Sequence, residues 1–175
     1  MKVLVTGGVR SGKSRHAEQL LAAEPAVTYV APGPTTTEDP DPDWAARVAA
    51  HRSRRPAGWT TLESRDLAAA LTIPGPVIVD CVGTWLTAVL DEASAWDQPS
   101  SSADALVSSA LSSAADALAA HPGPVVLVTN EVGLGVVPEH RSGRLFRDLL
   151  GTVNQRLAAA CDEVHLVVAG RVLVL

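Results

Sequence analysis

The chain has 175 residues, 47% of them hydrophobic, and carries a net charge of −5, so residues 1–175 are expected to form one domain with a sizeable core. The acidic balance and a 3% aromatic content argue against nucleic-acid binding by bulk basicity or by base stacking. No apolar stretch approaches the ~20 residues of a membrane span, Met1-Lys2 leads straight into a strand with no room for a cleavable signal, and two cysteines suit a reducing cytoplasm better than a disulfide framework.

The first predicted element is a strand over residues 2–6. It is followed by Gly7-Gly8-Val9-Arg10-Ser11-Gly12-Lys13-Ser14, which fits the phosphate-loop pattern G-x-x-x-x-G-K-[ST] in its required place between strand and helix. Glycines let successive N–H groups turn toward phosphate oxygens, Lys13 adds charge at the β- and γ-phosphates, and the Ser14 hydroxyl is a Mg²⁺ ligand in such loops. A helix from Lys13 to about Ala23 points its positive end at the same anion, and Pro25 ends it. Val27–Ala31 is the next strand, parallel to the first because a crossover helix separates them.

Residues 32–42, rich in proline and polar side chains, must be a loop at the carboxyl end of that strand, either a ligand contact or a solvated connector. A helix over Asp43–Arg54 follows, capped by Asp41 or Asp43, with Trp44, Val48 and His51 on one face and Arg52, Arg54 and Arg55 at its end. On spacing alone His51 is either a nucleophile or a residue of the packed stripe. His16, His121, His140 and His165 show no metal-ligand spacing and read as surface or packing residues.

Trp59–Glu63 is a candidate strand and Asp66–Leu71 a short helix. Val77-Ile78-Val79-Asp80 has the form of a Walker B strand, whose terminal carboxylate serves Mg²⁺ directly or through water. A helix over Val82–Asp91, a surface loop over residues 97–102 and an amphipathic helix marked by Ala103, Leu106, Val107, Ala110, Leu111, Ala114 and Leu118 come next. Val125–Thr129 is a continuous apolar strand, as expected at the centre of a parallel sheet. At its end Glu131 either enters the site or caps a turn. A helix from His140 to about Ala160 is to face Leu145, Phe146, Leu149, Leu150, Val153 and Leu157 inward. Val164–Val168 and Val172–Leu175, around a turn at Gly170-Arg171, form an antiparallel edge hairpin. The fold class is therefore α/β, a phosphate-loop nucleotide-binding domain with a mostly parallel central sheet flanked by helices.

The blocks GGVRSGKSRHAE, HRSRRPAGWTTLE, DCVGTWLT and VTNEVGLGVVPEHRSGRLFRDLLGTVNQRLAAACDEVHLVVAG together resemble the bifunctional adenosylcobinamide kinase and adenosylcobinamide-phosphate guanylyltransferase family of cobalamin assembly. The resemblance runs from residue 2 to about 170 and is weakest across 32–43 and 91–122. It implies phosphorylation of the aminopropanol hydroxyl of adenosylcobinamide by ATP or GTP, then transfer of GMP from GTP through a guanylylated histidine that maps onto His51. A neutral imidazole is a competent nucleophile toward an α-phosphate. Nucleotide contacts carry over to Gly7, Gly8, Val9, Arg10, Ser11, Gly12, Lys13 and Ser14, to Pro32, Gly33 and Pro34, to Arg52, Ser53, Arg54 and Arg55, to Glu63 and to Asp80, with Glu63 assigned to the guanine and Ser14 and Asp80 to Mg²⁺. The catalytic residues it implies are His51 and Lys13. The family also implies a corrinoid partner and a homo-oligomer, with a trimer as the expected assembly. Two other functions fit the phosphate loop: a kinase of another small metabolite, which makes His51 a helix-face residue, and a nucleotide-gated interaction module.

Overall fold

The computed structural model describes residues 1–175. Its strands are β1 (Lys2–Gly7), β2 (Thr28–Ala31), β3 (Thr60–Glu63), β4 (Val77–Asp80), β5 (Val125–Val128), β6 (Glu163–Val168) and β7 (Arg171–Val174). The helices are α1 (Lys13–Leu20), α2 (Pro42–Ser53), α3 (Leu67–Ala70), α4 (Val82–Glu92), α5 (Ser100–Ala120) and α6 (Arg141–Ala158). All seven strands join one sheet in the order β3-β2-β4-β5-β1-β6-β7, parallel except for the β6–β7 pair. β1 and β2 are parallel in one sheet, as expected, but β5 and β4 lie between them, which opens a crevice where the chain direction across the sheet reverses.

Because successive strand residues point to opposite faces, the sheet divides its apolar side chains between two cores. Leu4, Val30, Val77, Val79, Val125 and Leu127 join the larger one, beneath α3, α4, α5 and α6. Val3, Val5, Tyr29, Ile78, Val126 and Val128 join the smaller one, with Ala17 and Leu21 of the α1 segment. β5 is buried at every position, which explains its unbroken apolar run. α2 contributes no buried residue to either core. It stands over the carboxyl edge of the sheet, started by Pro42 and by the Asp41 carboxylate, which accepts from the Asp43 N–H at 2.9 Å.

Four expectations change. Ser100–Ser102 are the first turn of α5 and not loop, since Pro99 fixes the entry and its carbonyl accepts the Ser102 N–H at 2.9 Å. The hairpin turn is Ala169-Gly170, one residue earlier than expected, because both residues take positive φ (50° and 75°), as a two-residue turn matched to strand twist requires. α1 stops at Leu20, where tighter bonds from Leu21 and Ala22 N–H to the Glu18 and Gln19 carbonyls close it. Phe146 is only partly buried, and its ring also faces a cavity at the sheet edge.

Candidate active site

Every strand that carries a site residue delivers it to the same edge of the sheet. β1 ends at Gly7, β2 at Ala31, β3 at Glu63 and β4 at Asp80. Gly7 is required by close approach: a Cβ there would lie 2.4 Å from the Val167 carbonyl oxygen. Gly12, at φ +98°, is the residue from which α1 starts and holds a backbone shape that side chains resist. The Lys13 ammonium folds back onto the Gly8 carbonyl at 3.0 Å and is buried, and burial lowers its pKa. The hairpin turn braces the loop from below, since the Gly170 N–H donates to the Ser11 carbonyl at 2.8 Å.

Asp80 is the hub. Tyr29, its ring buried in the smaller core, donates its hydroxyl to Asp80 Oδ2 at 2.6 Å. His51 Nδ1 lies 3.4 Å from the same oxygen. Burial alone would raise the carboxyl's pKa, but hydrogen bonds from His51, Tyr29 and Ser14 outweigh it and hold Asp80 below the usual range, ionised. Ser14 and Asp80 thus bring together a hydroxyl and a carboxylate, the protein donor set that a Mg²⁺–phosphate complex takes. No cluster of three or more His, Cys, Asp or Glu side chains could hold a metal without phosphate.

α2 divides the site into two compartments. Toward the phosphate loop, an open cleft is lined by residues 10–15, by Arg47, His51 and Arg54, and by Asp39, Asp41 and Asp43. On the other side is a cavity of about 350 Å³ that includes Tyr29, Gly33, Trp44, Glu63, Asp80 and Phe146. His51, Trp44 and Arg47 line both.

The basic segment splits between them. Arg55 lies flat over the Tyr29 ring at 3.3 Å and donates to the Thr61 hydroxyl at 2.7 Å. Arg52 pairs with Glu63 at 2.5 Å, whereas Arg54 forks onto the Glu18 carboxylate at 3.0 and 3.2 Å. The Ser53 hydroxyl bonds the Ala50 carbonyl, and the residue lines neither compartment. Pro34 accepts from the Trp44 indole at 2.9 Å, and Gly33 packs under that ring, where a Cβ would come within 3.2 Å. Pro32 is buried beside them. Glu131 turns its carboxylate onto the Gly133 N–H at 2.6 Å and lines neither compartment, so it sits as the cap of its own turn.

Of the other histidines, His121 is buried and bonds to Ile73 and Gly123, and His165 is buried between His16 and Glu163. Two site residues escaped sequence reading. Tyr29 looked like one apolar position in a buried strand, although it is the chain's only tyrosine. Arg47 lies one turn before His51 on the same helix face, a spacing that could have found it.

Residues 3–175 match the family described as cobinamide kinase / cobinamide phosphate guanyltransferase (CobU). The chain is 44% identical to the bifunctional adenosylcobalamin biosynthesis protein CobU of Salmonella typhimurium and 42% identical to that of Escherichia coli, each alignment covering 97% of both chains. It is 39% identical to the bifunctional adenosylcobalamin biosynthesis protein CobP of Pseudomonas aeruginosa, over 97% of this chain and 94% of that one. Among solved structures it is similar to a prototypical ATPase from the type III secretion system of pathogenic bacteria, with a TM-score of 0.57 and 13% identity; that match covers 94% of this chain and half of the other, and is a likeness of fold alone. The chain belongs to the cobinamide kinase / cobinamide phosphate guanyltransferase family.

Proposed function

We propose that this member of the family is a bifunctional enzyme that phosphorylates adenosylcobinamide with ATP or GTP and then joins GMP to the phosphate through His51. The observation that carries the reading is the imidazole of His51, held against buried Asp80 at 3.4 Å beside the phosphate-loop residues Lys13 and Ser14. A metabolite kinase without nucleotidyl transfer has no use for that arrangement.

In the kinase step the backbone of residues 7–14 cradles the triphosphate, Lys13 offsets charge as the γ-phosphoryl group leaves, and the substrate hydroxyl attacks in line. Lys13 suits this because burial keeps water from its charge. In the second reaction one imidazole nitrogen attacks the α-phosphorus of GTP. The N–P bond forms as the bond from that phosphorus to the β-phosphate bridging oxygen breaks, and pyrophosphate leaves. Asp80 accepts from Nδ1–H, so Nε2 is the attacking atom, and the same carboxylate stabilises the charge left on the ring. The phosphate of adenosylcobinamide phosphate then displaces His51 from phosphorus to give adenosylcobinamide-GDP.

Glu63 recognises guanine by accepting from its N1–H and 2-amino group, and Arg52, now paired with it, turns to phosphate. Arg54, Arg55 and the unpaired guanidinium of Arg47 supply the remaining phosphate contacts, Arg47 from a position that serves both compartments. Ser14 and Asp80 would hold Mg²⁺, which supplies charge neutralisation at the phosphates when bound. One phosphate loop serves attack at γ in one reaction and at α in the other, so α2 shifts between them. The reading includes a reducing, cytoplasmic setting, supported by two free cysteines and by the lack of any helix long and apolar enough to cross a membrane. It also includes a homo-oligomer, checked by light scattering.

The test is GTP labelled at the α-phosphate. Wild type is expected to take up acid-labile covalent label, and His51→Ala to take up none while still phosphorylating adenosylcobinamide. Absence of label in wild type, or equal label in both, would sink the guanylyl-transfer step.

A further inference from the structure

The loop between β5 and α6 displays Leu134, Val136 and Val137 to solvent at 87%, 94% and 62% exposure, while the phosphate loop displays Val9 at 76%. The backbone that carries the first three is held in place. The Glu131 N–H donates to the Gly7 carbonyl at 3.1 Å, so the loop grows from the base of the phosphate loop itself. Arg147 donates to the Gly135 carbonyl at 3.2 Å, and Arg144 to the carbonyls of Pro138 and Glu139 at 2.9 and 2.6 Å. Pro138 packs on Gly143, where a Cβ would meet its ring at 2.9 Å. Arginines that could have faced water instead hold the backbone of this aliphatic loop, and exposed aliphatic side chains on a braced loop mark a binding surface.

We propose that this rim, Val9 with Val132, Leu134, Val136 and Val137, binds the corrin macrocycle of the acceptor. The inference rests on the function proposed above and names where its second substrate sits. Three observations select that occupant. A cavity of about 350 Å³ is of the size of a nucleoside and cannot enclose a corrinoid, and the larger cleft on the other side of α2 is lined by the phosphate loop and is taken by the triphosphate, so the macrocycle must lie outside both. Val9 and Val132 line both the rim and the cavity that contains His51, so a macrocycle resting there reaches the phosphates with its aminopropanol arm. A protein docked at the same place would seal the mouth through which that arm must enter. From Val132 to Pro138 there is no charged side chain, which matches a ring edged with alkyl groups and carboxamides. Burial of these aliphatic residues occurs only when the macrocycle is bound, so it contributes to acceptor affinity and leaves the nucleotide reaction untouched.

The experiment uses the full chain with Leu134→Ser and Val136→Ser combined, positions too exposed for folding to depend on them. Initial kinase rates against adenosylcobinamide concentration are expected to show KM raised about tenfold with kcat largely kept, while covalent labelling of His51 from GTP proceeds at the wild-type rate. Unchanged KM would overturn the proposal, as would slowed labelling, which makes the rim part of the nucleotide site. A change in sedimentation coefficient with unchanged KM would give the rim to a second copy of the chain and overturn it as well. If wild type itself neither binds nor phosphorylates the corrinoid, the functional reading falls and this proposal with it. Wild-type turnover with an indifferent rim removes this proposal alone.

Discussion

The two halves of the site are built on opposite principles. The phosphate loop is fixed on several sides: β1 is paired on both edges, Gly7 lies close under the Val167 carbonyl, Lys13 bonds its own loop, and the hairpin turn supports Ser11. α2, which brings His51, Trp44 and Arg47, has no fully buried residue. A few polar contacts hold it, namely Trp44 to Pro34, His51 to Asp80 and the ion pairs of Arg52 and Arg54. The exposed Arg52–Glu63 pair contributes only ~0–1 kcal/mol, and because α2 adds no residue to either core, displacing it disturbs neither. The loop that would grip the anion is held on several sides, and His51, the proposed nucleophile, is carried by a helix that can travel. A protein with two reactions and one phosphate loop needs that division.

The sharpest way to separate the halves is chemical. Lys13→Ala removes the charge that both reactions share and is expected to lower phosphoryl transfer and His51 labelling alike, by ~10²–10³ in rate. A selective loss would mean that the two steps do not use one loop. Stability gives the next contrast. Gly7→Ala places a Cβ against the Val167 carbonyl and is expected to destabilise the whole fold by ~2 kcal/mol or more in urea unfolding. Ala49→Gly, on the exposed part of α2, loosens that helix by ~1 kcal/mol and is expected to leave the global midpoint in place while speeding hydrogen exchange in α2 only.

The smallest effect lies behind the phosphate loop. Burial, and then the neighbouring His165, hold the pKa of His16 below its ordinary value. The unfolded chain therefore binds the proton more readily, so this contribution to stability is full above about 6.5 and is lost as pH falls through the lower folded value. The melting temperature is expected to decline gently below pH 6.5 and to decline less in His16→Gln, with Glu163 and His165 still in place.

The phosphate loop and the acid at position 80 were legible because their chemistry is local: glycines, a lysine and a hydroxyl at fixed spacing, and a carboxylate closing an apolar strand. Tyr29 was not, because its part depends on β2 and β4 being neighbours, which no local pattern reveals. The same is true of Arg55, whose stacking on Tyr29 crosses from the loop after α2 to β2. His51 shows the opposite limit. Its helix and face were readable, but its place against Asp80 was not, and its chemical part comes from resemblance. Ser100–Ser102 misled because serine disfavours helix interiors yet suits a first turn, and composition does not distinguish the two.

The Ala169-Gly170 turn joins the last two strands, and through Gly170 it touches the loop that holds phosphate. β7 is exposed along its length and lies at the end of the sheet order with one side free to pair. A strand added there, or a fusion that drags on the hairpin, would pull on a tether joined by one hydrogen bond to Ser11 of the phosphate loop. Load placed on β7 is therefore load placed on the phosphate loop, and the edge hairpin acts as a lever arm on it.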